Sequence, residues 1–373
     1  PPKTFSPQLA TLVKEVPKGE DWLHEIKFDG YRIVCRLEQG KARLVTRNDK
    51  DWTERFAAIA RAAQALPVTD AILDGEVVAL EKSGRSDFQT LQNALQAGQD
   101  TRLHYYIFDL LYCEGEDLAP LPVTQRKARL RQLLAQTDSK LLHYSDHVTG
   151  HGQAIYQQAC ENRLEGLISK RADRPYVHGR SRDWVKTKCV QRQEFVIGGY
   201  TEPQGSRQHF GALLLGYHDQ RGHLHYAGRV GTGFTARTLC SLAPQLKQRR
   251  RREPAFVDPP RGREAQGAHW IEPELVAEIE FTEWTGDGRL RHPAFQGLRQ
   301  DKPPRQISRE QPVEDKPART ETAQGDPRIA GVRLCNPQRG KSSVSFSAIS
   351  PAPCPMPYAR CPSARRPRLL NTW

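Results

Sequence analysis

The segment Glu25-Ile26-Lys27-Phe28-Asp29-Gly30-Tyr31-Arg32 constrains this chain more than any other stretch. Side chains alternate along an extended backbone, so Glu25, Lys27 and Asp29 share one face while His24, Ile26 and Phe28 share the other. The polar face can line a pocket as the apolar face packs inward, and Gly30 lets the chain turn away. A lysine between two acids at a pocket is a candidate nucleophile. The same residues read alone describe a solvated strand end and a turn, and the segments downstream decide between the two.

Ala71-Ile72-Leu73-Asp74-Gly75-Glu76-Val77-Val78-Ala79-Leu80 reads as a strand with Asp74 and Glu76 opposite Leu73, Val77 and Ala79. Two carboxylates there belong either to a surface edge or to a site that partners them. His104-Tyr105-Tyr106-Ile107-Phe108-Asp109-Leu110-Leu111-Tyr112 reads as a core strand whose aromatics could stack on a base. Leu164-Glu165-Gly166-Leu167-Ile168-Ser169-Lys170 follows, then Trp184-Val185-Lys186-Thr187-Lys188. Alternation puts Trp184, Lys186 and Lys188 on one strand face, where the two ammonium groups repel unless an anion lies between them.

Together and in this order, the five segments resemble the covalent nucleotidyltransferases, most closely the ATP-dependent DNA ligases. Their wording is similar to the ligase module of bacterial DNA ligase D, the end-joining ligase, and the resemblance extends through nearly all of residues 1–302. It implies an α+β fold: a nucleotidyltransferase (adenylation) domain with antiparallel sheets over residues 1–188, then a small β-barrel OB-fold domain over residues 189–302. Residues 303–373 would be a linker and a disordered or aberrant tail. The resemblance further implies that Lys27 carries AMP, Glu25 contacts adenine, Phe108 stacks on it, and Arg32 and Arg47 bind ribose or phosphate. Glu76 and Glu165 would serve the metal and ribose site, and Lys186 and Lys188 the α-phosphate. The cofactors implied are ATP and Mg²⁺ or Mn²⁺. The implied partners are nicked or broken duplex DNA, the bacterial Ku protein, and phosphoesterase and polymerase modules in a longer parent chain.

The chemistry suits these residue types. A lysine attacks phosphorus as the neutral amine, yet its ordinary pKa lies about 3 units above neutrality, a cost of roughly 4–5 kcal/mol. Lys186, Lys188, Arg32 and a bound metal, together with partial desolvation, would favour deprotonation of Lys27. The same cations would stabilise charge developing on the α-phosphate. The implied reaction has three displacements: Lys27 takes AMP from ATP, AMP passes to a DNA 5′-phosphate, and the adjacent 3′-hydroxyl expels AMP to seal the strand.

After Lys188 the sequence changes to short β runs and glycine turns, Glu194–Tyr200, Gly211–Tyr217 and His225–Phe234, which suggest a small barrel. Gly228, Gly231 and Gly233 are read as strand-and-turn residues, since no long helix pattern opens directly after them. Val276–Trp284 would close the barrel. Arg299-Gln300-Asp301-Lys302 resembles the ligases' final motif, with Arg299 and Lys302 orienting pyrophosphate, and residues 189–194 are the expected hinge. The basic run Lys247–Arg252 is expected as a solvated loop that can meet a DNA backbone.

Residues 1–302 carry a net charge of +6 and residues 303–373 a net of +7, over half of the total +13. DNA binding by the catalytic part must therefore rest on charge placement. The eight cysteines form no C-x-x-C pair and no zinc-finger spacing, so reduced thiols are expected in a cytoplasmic, bacterial, nucleoid-associated monomer with no membrane segment. Arg328–Pro337 looks like the opening of a polymerase module, but the Ser-, Pro- and Arg-rich text from residue 340 onward does not continue it, which suggests a frameshift or truncation after Pro337. The alternatives are an RNA ligase or capping guanylyltransferase, which share the lysine strand, and a catalytically inactive DNA-end-binding module.

Overall fold

A computed structural model describes residues 6–313, apart from 82–83, 99–101, 204 and 206–207. The proposed polymerase-like opening and the Ser/Pro/Arg-rich tail lie outside the described residues.

Two twisted sheets build the first part of the chain. One runs in the order Gln8–Leu12, Gly179–Lys188, Gly166–Arg171, Trp22–Ile26, His147–Thr149, antiparallel except for the first pair. The other runs Lys41–Thr46, Tyr31–Glu38, Ala71–Ala79, Leu103–Cys113, Glu116–Asp117, with Leu142–Tyr144 alongside Leu103–Cys113 in parallel. Ala71–Ala79 is thus an interior strand, hydrogen-bonded on both sides, and Asp74 is fully buried rather than solvated at an edge.

The helices Ala57–Gln64, Phe88–Gln96 and Val123–Leu134 cover the outer face of the second sheet with Ile59, Ala63, Phe88, Leu91 and Leu130. Each large side chain taken out of water there stabilises the layer by about 1.5–3 kcal/mol. On the opposite face Val34, Ile72 and Leu111 meet Tyr176 and Trp184, closing a second cluster between the sheets. The site lies along this seam.

The second part is a barrel-like sheet in the order Leu224–Val230, Leu213–His218, Gln191–Thr201, Ala268–Phe281, Arg250–Arg251, with Ala294–Arg299 also paired to Ala268–Phe281. Phe195, Phe210, Ile279 and Phe295 fill it. Antiparallel α+β architecture followed by a β-barrel is the expected fold.

Three differences from the sequence reading have physical reasons. A helix, Ala236–Gln248, does open soon after the glycine cluster, capped by Thr235, whose hydroxyl accepts from the Thr238 N–H. Its internal Pro244 masks the pattern in sequence. The glycines remain strand-and-turn residues: Gly233, at φ +85°, lies where a Cβ would meet the Phe295 backbone. The basic run is not a solvated loop, because Lys247 and Gln248 end that helix while Arg250 and Arg251 pair with Ala268–Phe281. The expectation of reduced thiols throughout is also corrected, since Cys160 and Cys189 form a disulfide with Cα atoms 5.1 Å apart. They are 29 residues apart in sequence, and only the packing of the Gly152–Glu161 helix beside the end of Gly179–Lys188 brings them together. Among the described residues Cys35, Cys113 and Cys240 are free.

Residues 303–313 pack back over the molecule. Ile307 is buried against Val196, Tyr226 and Val276, and its carbonyl accepts from the His218 N–H at 2.7 Å.

Candidate active site

Three adjacent strands set the cavity-facing surface by register. Ile168 pairs with Glu25 on one side and Lys186 on the other, so the three side chains form a row. The Trp22–Ile26 strand ends one residue before Lys27, whose N–H donates to the Gly166 carbonyl at 2.9 Å. Gly166 sits at φ +147°, where an added Cβ would lie 2.1 Å from the Thr187 carbonyl oxygen, so only glycine permits this approach. Neighbouring Glu165 is thereby brought to Lys27, with Nζ to Oε1 at 2.5 Å.

Two adjoining chambers, of ≈ 200 and ≈ 140 Å³, share Lys27, Arg32, Arg47, Glu76, Lys186 and Lys302. Glu25 and Phe108 line the inner chamber, while Glu165, Lys188 and Arg299 line the outer one. Every site residue expected from the sequence therefore faces one connected cavity.

At the inner end Glu25 is buried between Lys127 and Lys170, at 2.9 and 2.8 Å, and accepts from the Ser145 hydroxyl at 2.9 Å. Burial pushes its carboxyl up, but the two ammonium groups outweigh this and hold it below its usual value. Lys170 is itself pushed down to about 8 by burial, and its Nζ lies 4.6 Å from the Phe108 ring centre and 4.2 Å from that of Trp184. Arg32 forks onto Asp74 at 3.0 and 2.6 Å, donates to the Gln8 carbonyl, and stands 5.3 Å over the Phe108 ring. Phe28, expected to pack inward, instead stacks on Tyr106 with centroids 4.2 Å apart and also lines the cavity.

At the outer end the electrostatics differ from expectation. Burial works to depress the Lys27 pKa, yet Glu165, then Glu76 and Asp29, overcome it and raise the pKa above its ordinary value. The free site thus keeps the amine charged. Lys186 and Lys188 do have an anion between them: the Glu310 carboxylate, at 2.7 and 2.8 Å. Burial, with help from Lys188, pushes Lys186 down to about 8 despite this partner. Lys302 is pushed well down by burial and by Arg47, Lys186 and Lys188 nearby, and it pairs with Glu194. Arg299 forks onto Asp301, bonds Glu278 at 3.1 Å, and donates to the Gly30 carbonyl.

The donor set fits a divalent metal only in part. Burial pushes Glu76 up to about 8 against the pull of Lys27, Arg299 and Arg32. Glu165 faces the same Lys27, but the described residues contain no group of three or more His, Cys, Asp or Glu able to hold an ion. Glu76 and Glu165 would hold Mg²⁺ or Mn²⁺ only with phosphate oxygens and water completing the shell.

Known proteins carry the same layout. A family model described as "ATP dependent DNA ligase domain" matches residues 6–188, and "ATP dependent DNA ligase C terminal region" matches residues 206–302. The SPbeta prophage-derived DNA ligase-like protein LigB of Bacillus subtilis is 30% identical over 79% of this chain and 98% of its own length. The chain belongs to the ATP-dependent DNA ligases. The multifunctional non-homologous end joining protein LigD of Pseudomonas aeruginosa is 43% identical over 91% of this chain, but only 41% of that relative is covered. The chain thus spans about two fifths of the length of such end-joining relatives. Among solved structures, a mycobacterial DNA ligase D complexed with ATP and MES superposes with a TM-score of 0.62 at 35% identity, over 82% of this chain and 98% of that one. No helix among the described residues is long and apolar enough to cross a membrane.

Sequence reasoning missed four charged residues at or beside this cavity. Lys170 could have been found, because it alternates with Ile168 on the cavity face. Lys127 sits in a helix with nothing in its pattern to mark it. Arg192 joins Asp29 to Glu280 from the expected hinge, and Glu310 comes from the expected linker.

Proposed function

We propose that this ATP-dependent ligase seals 3′-hydroxyl/5′-phosphate breaks in duplex DNA through an AMP phosphoramidate on Lys27, in the repair of double-strand breaks. The observation that supports it most is one cavity holding a lysine nucleophile, two acids and two phosphate-facing lysines, with an aromatic ring and a buried glutamate at its far end. ATP would enter with adenine at Phe108 and Glu25, ribose or phosphate at Arg32 and Arg47, and the α-phosphate at Lys186 and Lys188. Lys27 must first be released by Glu165 and lose a proton before its nitrogen attacks phosphorus and pyrophosphate leaves. Lys302 and Arg299, brought by the barrel, orient that leaving group. Mg²⁺ or Mn²⁺ held at Glu76 and Glu165 would supply positive charge against the charge developing on the phosphoryl oxygens.

On this reading residues 1–188 act as the adenylation domain, 189–302 as the OB-fold domain, and 189–194 as their hinge, in a cytoplasmic enzyme whose broken ends are presented by Ku. The test is incubation with ATP labelled at the α-phosphate, following acid-labile label on wild type and Lys27→Ala. Label that requires Lys27, and that nicked DNA discharges into sealed strand, is expected. Discharge only by nicked RNA would move the substrate to RNA, and label from GTP but not ATP would point to capping chemistry.

A further inference from the structure

The clamp expected to hold the α-phosphate is filled from within the chain. Glu310 places one carboxylate oxygen on Lys186 and the other on Lys188, at 2.7 and 2.8 Å. This is the anion that two like charges on one strand face require. The segment bringing it is anchored on both sides of the cleft. Ile307 is buried against the barrel residues Val196, Tyr226 and Val276, and Arg309 lies 4.3 Å over the Trp284 ring. Gln193 grips the backbone twice, donating to the Ser308 carbonyl at 3.0 Å and accepting from the Glu310 N–H at 3.2 Å. Beyond it, the Val313 N–H donates to the Leu12 carbonyl at 3.0 Å, on the strand beside Lys186. Residues 307–313 therefore strap the barrel to the first sheet directly across the lysines.

We propose that Glu310 is a built-in competitor for the triphosphate, holding the paired lysines in order while the nucleotide is absent and leaving them when ATP binds. The proposal rests on the reading of Lys186 and Lys188 as the ATP clamp. A carboxylate offers one negative charge and two acceptors, whereas a triphosphate offers several of each, so ATP displaces it. Until displaced, the tethered carboxylate lowers apparent affinity by the fraction of molecules whose clamp is filled.

The experiment measures Lys27 labelling against ATP concentration for the full chain and Glu310→Gln, together with trypsin cleavage after Arg309 in wild type, with and without an α,β-methylene ATP analogue and Mg²⁺. We expect Glu310→Gln to lower the half-saturating ATP concentration by about fivefold or more. In wild type we expect the Arg309–Glu310 bond to resist trypsin until the analogue is added. A half-saturating concentration that is unchanged or raised in Glu310→Gln overturns the proposal, as does a bond that stays protected under saturating analogue. Absence of label on wild type at every ATP concentration overturns instead the reading of the clamp, and the trypsin result on wild type still decides for Glu310, as it does if Glu310→Gln fails to fold.

Discussion

Lys27 faces carboxyl groups from Glu165, Glu76 and Asp29, and their combined field keeps its ammonium charged against the effect of burial. Burial pushes the Glu76 pKa from the ordinary 4.5 up to about 8, so between those two values the folded protein holds a proton that the unfolded chain has lost. Stability contributed by that proton is complete below pH 4.5 and is lost as pH rises to about 8. Glu76→Gln, which cannot ionise, should therefore melt higher than wild type, with an advantage that grows between pH 5 and pH 8 and levels off above it, read by thermal denaturation. The same variant should lose most metal-dependent labelling of Lys27. If the melting difference is the same at pH 5 and pH 8, Glu76 is not the titrating group. Proton competition at this carboxyl also predicts that wild type needs more Mn²⁺ for half-maximal labelling at pH 6.5 than at pH 8.5, a dependence that Glu76→Gln should flatten.

The strands carry the site because their registers do. Gly166 joins Glu165 to the Gly166–Arg171 strand at a backbone angle of φ +147°, with the Thr187 carbonyl where a side chain would start. Gly166→Ala should cost about 2–3 kcal/mol from strain alone, lower the melting temperature, and weaken Lys27 labelling by parting Glu165 and Lys188 from the nucleophile. Labelling that survives unchanged would show that this strand junction does not set the site. Residues on a strand or directly after one were legible in the sequence because alternation and neighbouring motifs reveal them: Lys27, Glu76, Phe108, Lys186 and Lys188 all reach the cavity. What stayed hidden depends on contacts between distant segments. The Cys160–Cys189 bridge, the Glu25–Lys127 pair and the return of Glu310 each join elements whose local patterns say nothing of one another. The Ala236–Gln248 helix was obscured for the opposite reason, since Pro244 breaks its local pattern while the barrel core still receives Leu242 and Leu246.

Across the whole described molecule, the barrel is seated on the adenylation sheets through the final motif. The Asn48 amide donates to the Asp301 carbonyl at 2.6 Å, Lys50 to the Gln300 carbonyl at 2.6 Å, and Arg55 to the Gln300 side chain at 2.7 Å. Arg192 ties Asp29, two residues after Lys27, to Glu280 of the barrel. Lys302 points into the cavity beside Lys186 while paired with Glu194. On the proposed function this seating would put positive charge where pyrophosphate departs, a requirement of the first step alone. Transfer of AMP to DNA and sealing involve no pyrophosphate, so the barrel's cations there should be dispensable later. Lys302→Ala is accordingly expected to slow labelling of Lys27 by about 100-fold, the scale of losing one well-placed charge-stabilising donor. The same protein should seal a nick already carrying 5′-adenylate at close to the wild-type rate. Comparing the two rates on one preparation separates a specific loss from poor folding, which lowers both. Equal losses in the two assays would mean that Lys302 acts on something common to every step, such as seating the barrel through Glu194, and Glu194→Gln should then reproduce the defect.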